Sequence, residues 1–171
     1  MYFADLATEC QLARGAAVRA IGWLEQGHAF STGSASDAFV SALRRHVEDP
    51  GRWLAVVSAG VHACDLGGCD RSSGQQYVII PARTCVYVAP DLVTHYVEAH
   101  SYLPPSEFVD AVLACPEQSS EAYVELLIPF ASVWNLDAAT VRRLASHAPS
   151  RREAHAARLA QTEASTGRFK W

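Results

Sequence analysis

The chain has 171 residues, of which 50% are hydrophobic and 19% are charged. This length suits one domain that buries roughly two-thirds of its unfolded surface, and the composition excludes an intrinsically disordered chain. No apolar run reaches the roughly 18 residues that span a bilayer, and the N-terminus lacks a basic segment followed by an apolar one. We therefore predict a cytoplasmic protein with no membrane partner. Its five cysteines should be reduced there: Cys10, Cys64, Cys69, Cys85 and Cys115.

The net charge of −4 is unevenly distributed along the chain. Residues 1–136 carry seven Arg against fifteen Asp or Glu, whereas residues 137–171 carry six Arg and one Lys against three acids. The basic end can dock on the acidic body of the same chain, which we favour, or meet an anionic partner. The sequence pI near 5.9 argues against nucleic acid as the main partner.

Hydrophobic periodicity predicts strands in the first half of the chain and helices in the second. In chain order we expect a strand, for which a short alanine-rich helix is the alternative, then a Gly/Ser loop, a helix capped by Ser36 or Asp37, three more strands and five helices. Their bounds are 16–26, 27–36, 37–49, 52–64, 76–81, 84–89, 90–101, 105–115, 119–132, 137–147 and 150–163. Pro129 should kink or end the helix at 119–132.

This order of elements predicts an α+β fold. The sheet should be small, mostly antiparallel and covered by helices on one face. We divide the chain into an α+β core domain at 1–134 and a helical Arg-rich C-terminal extension at 135–171 that packs on the core. The segment 135–149 also resembles the first helix of helical DNA-binding motifs, but any packed helix would show the same apolar positions.

The segment VHACDLGGCD (61–70) concentrates metal-binding side chains. His62 and Cys64 are two residues apart on a predicted strand, so both side chains point to the same face. The Gly67-Gly68 pair permits a tight turn that returns Cys69 toward them. Imidazole and thiolate are normal zinc ligands, so the sequence predicts a local clip that needs a further ligand. The alternative is that His62 and the cysteines are ordinary packing residues.

The segment APDLVTHYVEAHSYLPPSEF (89–108) holds two more histidines on a predicted helix. His100 falls in the middle of the apolar stripe that faces the sheet, so we predict it as the fourth zinc ligand. The alternative for His100 is a hydrogen-bonded core residue. His95 lies at the edge of the stripe with Glu98 three residues later, and this pair can act as proton carriers. His95 can also be a metal ligand or a solvated residue at the helix edge.

Several segments together resemble a family of uncharacterised small bacterial proteins. They are MYFADL at the start, IGWLEQGHAFSTG (21–33), GVHACDLGGC (60–69) and YVAPDLVTHYVEAHSYLPPSEFVDAVLACP (87–116). The resemblance points to seven residues: Trp23, His28, His62, Cys64, His95, His100 and Tyr102. The family spaces its cysteines as Cys-x-x-Cys, whereas two extra glycines separate Cys64 and Cys69 here. No activity comes with the resemblance.

Three functions remain open from the sequence. The first, which we favour, is a zinc protein with ligands His62, Cys64, Cys69 and His100. We also expect Trp23, His28 and Tyr102 to line a binding pocket. The second is a non-catalytic immunity-type, regulatory or accessory module that binds a small molecule or a protein. The third is a metal-free enzyme that pairs Cys64 with His95. Phosphate-binding loops, nucleophile elbows and His-Glu-x-x-His helices are absent from the sequence.

Overall fold

A computed structural model describes residues 1–52, 61–69 and 72–166. Its α+β fold confirms the predicted class. The predicted strand at 52–64 falls largely outside the described residues, and only its end is seen, as the short strand β2 (His62–Ala63).

The main sheet has three strands in the order β1-β5-β4. Strands β4 (Tyr77–Pro81) and β5 (Val86–Pro90) form an antiparallel hairpin, which confirms the two strands predicted there. Strand β1 (Val18–Ala20) pairs with β5 in parallel, a pairing that the sequence did not indicate. It is shorter than the predicted strand at 16–26 because the chain turns at Gly22, where φ is +66°.

A second, two-stranded sheet lies next to the candidate site. Strand β2 pairs antiparallel with β3 (Ser73–Gly74). This short ladder fixes the chain immediately before Cys64, whose backbone N–H donates to the carbonyl of Ser72 at 2.8 Å.

The main sheet is covered on both faces, so the prediction of a single covered face is wrong. Side chains of β4 and β5 alternate between two core clusters, with Val78 and Ile80 in one and Tyr77 and Ile79 in the other. All residues of both strands are buried. A strand with one exposed face alternates apolar and polar residues, whereas a strand buried on both faces is apolar without interruption. The runs YVIIP and VYVAP show the second pattern, which our prediction did not use.

Helices supply both covering layers. The first core cluster contains apolar residues of α1 (Asp37–Glu48), α2 (Val93–Ala99) and α3 (Ser106–Ala114). The second contains residues of α4 (Glu121–Leu127), a 3₁₀ helix (Ile128–Trp134) and α5 (Ala138–Ser146). Helix α6 spans Ala148–Thr166.

The helix termini follow from local chemistry. Ser36 caps α1 by accepting a hydrogen bond from the N–H of Phe39 at 3.3 Å, as the sequence predicted. Helix α4 ends at Leu127 and continues as the 3₁₀ helix that contains Pro129, so the predicted break at this proline is confirmed.

The C-terminal helices contact the core through buried residues and two arginines. Val141 and Ala145 of α5 belong to the second core cluster. Arg152 of α6 binds the carboxylate of Asp49 at 2.7 Å, and Arg151 donates to the carbonyl of Arg52 at 2.6 Å. The division of the chain at residue 134 stays a prediction.

Among the described residues, no single helix has both the length and the apolar composition that a membrane span needs. Glu121–Trp134 and Ala138–Thr162 reach these limits only as a pair, and they are bent by 119° relative to each other.

Candidate metal centre

Cys64 and Cys69 meet across a tight turn after β2. Gly67 and Gly68 adopt φ values of +76° and +72°, a backbone region that residues with a side chain rarely occupy. The turn brings the two Sγ atoms to 3.7 Å, as the sequence predicted. The Asp65 carboxylate also accepts a hydrogen bond from the N–H of Gln26 at 3.1 Å, which ties the turn to the loop after β1.

The end of α2 brings two histidines to this turn. His95 lies within the helix, whereas His100 follows its last residue with φ −117° and ψ 7°. Five residues apart in a regular helix, the two side chains would diverge by about 140°. Because the chain leaves the helix at His100, the rings instead lie 5.1 Å apart, centre to centre, at an interplanar angle of 79°.

Four side chains thus converge: Cys64, Cys69, His95 and His100. One ligand atom from each lies within 4.8 Å of all the others. In a tetrahedral zinc site, bonds of about 2.3 Å to sulfur and about 2.0 Å to nitrogen separate two sulfurs by about 3.8 Å and a sulfur from a nitrogen by about 3.5 Å. The Cys64–Cys69 separation of 3.7 Å and the 3.3 Å between Cys64 Sγ and His100 Nε2 are close to these values. The four groups are therefore spaced so that they could hold one metal ion.

His95 adds an independent indication. Its Nε2 atom is buried and, within the described part of the chain, has no hydrogen-bond partner. An unpaired buried polar atom costs about 1–3 kcal/mol, and a bound ion is one kind of partner that removes this cost. A lone pair on a neutral imidazole nitrogen is what a metal ion binds.

The surroundings of Cys64 and His95 favour the neutral forms of these two side chains. Burial, followed by the neighbouring Cys69, raises the pKa of the Cys64 thiol. Burial, followed by the charge of His100, lowers the pKa of His95. A neutral His95 is ready to bind a metal, whereas the thiols must lose their protons when a metal binds.

His62 does not belong to this group of four. The sequence analysis predicted His62 as a ligand, but in the structure His95 occupies that place in the cluster. The His62 Nε2 atom lies 3.4 Å from the hydroxyl of Tyr96. Tyr96 is fully buried, and burial followed by the charge of Cys64 raises its pKa far above the usual range. His62 and Tyr96 therefore form a hydrogen-bonded pair beside the cluster. The sequence analysis missed this arrangement because both predicted elements run too far. The strand ends at Ala63, before Cys64, and helix α2 ends at Ala99, before His100.

Glu98, predicted as a proton carrier with His95, takes part in an ion pair. Its carboxylate lies 2.6 Å from the guanidinium of Arg44 on α1. This contact links α1 to α2, and it occupies a carboxylate that would otherwise be free to exchange protons with His95. A proton-transfer role for the two residues stays a prediction.

The three residues expected to line a binding pocket lie in different surroundings. Trp23 is in the second core cluster, where its indole N–H donates to the carbonyl of Val88 at 3.1 Å. Tyr102 is in the first cluster, and its hydroxyl donates to the Asp5 carboxylate at 2.8 Å. His28 is exposed and stacks on Tyr2, with ring centres 3.8 Å apart. Their grouping as a pocket stays a prediction.

The fold and the cluster define an α+β protein with a candidate Cys₂His₂ metal centre. The chain belongs to the family of a domain of unknown function, DUF7919, which matches residues 1–113. All four residues of the cluster lie within that match. No curated protein and no solved structure matches the chain.

Proposed function

We propose that the protein is a small zinc-binding protein in which Cys64, Cys69, His95 and His100 hold one Zn²⁺. The observation that carries the proposal is the convergence of four ligand atoms within 4.8 Å. Two thiolates and two imidazoles form a donor set typical of zinc, which prefers tetrahedral sulfur and nitrogen coordination. Cysteine thiols stay reduced and free to bind a metal in a reducing compartment, so this function agrees with our prediction of a cytoplasmic protein.

The role that this donor set supports best is structural. Four protein ligands fill a tetrahedral zinc site and leave no position for a reactive water, whereas catalytic zinc sites keep one position open. The metal would join the turn at 64–69 to the end of α2. These two segments are far apart in sequence, and no disulfide links the described cysteines. Zinc binding energy would thereby contribute to the stability of the fold.

A metal-free enzyme with Cys64 as nucleophile is less well supported. Catalytic cysteines have a lowered pKa that favours the thiolate, whereas burial raises the pKa of Cys64. His100, rather than the predicted His95, is the imidazole in contact with its sulfur, at 3.3 Å. Binding to a small-molecule or protein partner is compatible with a structural zinc site and stays open.

The test is the metal content of protein purified without added metal. We expect about one zinc per chain, released by a chelator together with a loss of thermal stability. Cys69→Ser should bind little zinc, whereas Cys115→Ser is the matched control, since both cysteines are half-buried and only Cys69 lies in the cluster. Less than about 0.2 metal per chain in a well-folded wild-type protein would refute the proposal.

A further inference from the structure

A cavity of about 350 Å³ lies between one face of α6 and the chain that follows α1. Helix α6 lines it with positions 151, 154, 155 and 158, and this spacing of three and four residues places them on one face of the helix. The other lining residues are Glu48, Pro50, Arg52 and Gln76. None of the four candidate zinc ligands is among them. Small-molecule sites have volumes in this range.

Hydrogen bonds join the two sides of this cavity. Nη2 of Arg151 donates to the carbonyls of Gly51 and Arg52, at 3.3 and 2.6 Å. The guanidinium of Arg52 donates in turn to the carbonyl of Val47 at 2.6 Å and to the side-chain oxygen of Gln76. These contacts hold Arg52 and Arg151 next to each other in the lining. All their partners are neutral oxygens, so neither positive charge is balanced by them.

Carboxylates of the described residues do not pair with these arginines. The ion pairs of arginine use a different set: Arg14, Arg44, Arg142 and Arg152. Asp49 and Asp91 act on Arg52 through their charges, but Asp49 is bound by Arg152, and the Asp91 carboxylate accepts two backbone N–H groups. Burial, as the largest cause, lowers the pKa of both Arg52 and Arg151. A bound anion would stabilise both charged forms.

Helix α6 adds two further basic side chains to the cavity. His155 and Arg158 lie about one and two turns after Arg151 on the same face. Arg158 is exposed, and its guanidinium has no partner among the residues that the structure describes. Glu48 is the single carboxylate of the described lining, so with His155 neutral the formal charge of the lining is +2. A dianion has the matching charge.

We propose that this cavity binds a small organic phosphate monoester in its dianionic form, with Arg158 and His155 donating to the phosphate oxygens. Guanidinium groups bind phosphate through paired hydrogen bonds, and the charges of Arg52 and Arg151 add to the attraction. The cavity is larger than a phosphate group, which leaves room for an organic part beside Pro50. Binding does not depend on the candidate zinc centre.

This proposal gives a role to the basic end of the chain. The sequence left two uses open for it, docking on the acidic body or meeting an anionic partner. Arg152 serves the first, through its contacts with Asp49 and Glu117 at 2.7 and 3.1 Å. Arg151 and Arg158, on the face of α6 that lines the cavity, suit the second.

The test uses nuclear magnetic resonance of the isotope-labelled full-length protein, titrated separately with phenyl phosphate and benzenesulfonate at equal ionic strength. At about pH 7.5 the phosphate monoester is mostly a dianion, since its second pKa is about 6. Benzenesulfonate keeps the ring but carries one charge. We expect phenyl phosphate to give saturable shifts of the Arg158 and His155 side-chain signals, with Kd on the order of 1 mM for so small a ligand. Benzenesulfonate should bind about tenfold more weakly, and equal affinities would overturn the assignment of a phosphate dianion.

Three variants locate the binding. Arg158→Gln should weaken phenyl phosphate binding by about tenfold, the effect of losing a hydrogen bond to a charged group. Arg143→Gln is the matched control, because it removes the same charge from an exposed position of α5 outside the cavity, and it should leave Kd nearly unchanged. Glu48→Gln removes the opposing charge and should strengthen binding several-fold. Equal weakening by Arg158→Gln and Arg143→Gln would show attraction to net charge alone and overturn the proposal. So would the absence of saturation up to about 20 mM phenyl phosphate.

Discussion

The Sγ atoms of Cys64 and Cys69 lie 3.7 Å apart because Gly67 and Gly68 between them both adopt positive φ. Two cysteines five residues apart do not approach this closely in a strand or a helix, so the approach depends on the conformation of the glycines. The two glycines that lengthen the spacing beyond Cys-x-x-Cys thus also provide the turn that closes the gap.

This dependence predicts the effect of Gly68→Ala. At φ +72° a Cβ atom strains the backbone by about 1 kcal/mol, and the turn should open and weaken zinc binding several-fold. The measurement is competition with a zinc chelator of known affinity. Gly27→Ala is the control, because Gly27 has φ +90°, has open space for a Cβ atom as Gly68 does, and lies outside the cluster. Equal zinc affinity in both variants would contradict the role given to the turn.

Substitutions of His95 and His62 distinguish the proposed zinc ligand, His95, from the histidine beside the cluster, His62. His95→Gln removes a nitrogen of the cluster and should reduce bound zinc well below one per chain. His62→Gln removes only the contact with the Tyr96 hydroxyl and should retain zinc, with an affinity lowered by roughly ten- to a hundredfold at most, the range for residues that support ligands. The metal content of both purified proteins checks this. The reverse ranking would restore His62 as the fourth ligand.

Cobalt substitution tests the predicted geometry of the site. Co²⁺ bound by two thiolates and two imidazoles should show the intense visible absorption of a tetrahedral site, together with a thiolate-to-metal band in the near ultraviolet. The Cys115→Ser variant should give the same spectrum, since Cys115 lies outside the cluster. Weak absorption typical of octahedral oxygen coordination would exclude the cysteines as ligands.

The sequence was sufficient for features that depend on local patterns. The Gly-Gly turn, the Ser36 cap and the break near Pro129 are decided by a few neighbouring residues, and each was confirmed. The second covering layer is indicated by strands β4 and β5, which are apolar at every position, as strands buried on both faces are, but our prediction did not use this pattern. The presence of His95 in the cluster, where His62 was predicted, depends on the last turn of α2. Hydrophobic periodicity predicts that this helix continues to residue 101, whereas in the structure it ends at Ala99.

Substitution of Tyr102 tests whether this residue stabilises the fold or lines a binding pocket. Its buried hydroxyl donates to the Asp5 carboxylate at 2.8 Å, and the same carboxylate accepts from the N–H of Gly22 at 2.9 Å. Tyr102→Phe should lower the free energy of unfolding by roughly 1.5–3 kcal/mol, as expected for a hydrogen bond to a charged group, and leave zinc content unchanged. Urea unfolding checks the first part and metal analysis the second. A stability equal to that of the wild type would favour the predicted pocket role instead.

The contact of α6 with the core should depend on pH through Asp49. Burial alone would raise the pKa of this carboxyl, but the hydrogen bonds from Arg152 and from the N–H of Gly51 outweigh it, so the pKa lies below its usual value. A carboxyl with a lowered pKa in the folded state contributes stability that is complete above its unfolded pKa of about 3.9 and is lost as the pH falls through the folded value. Asp49→Asn should therefore be less stable than the wild type at pH 7, by roughly 1.5–3 kcal/mol.

This difference in the free energy of unfolding should shrink as the pH falls from about 5 to about 2, because protonation removes the same charge from the wild type. Urea unfolding of both proteins at several pH values measures it. Glu125→Gln is the control, since the Glu125 ion pair with Arg142 is exposed on both sides and should contribute less than about 1 kcal/mol at any pH. A difference between Asp49→Asn and the wild type that stayed constant down to pH 2 would show that the amide disturbs packing, and that the charge of Asp49 does not hold α6 against α1.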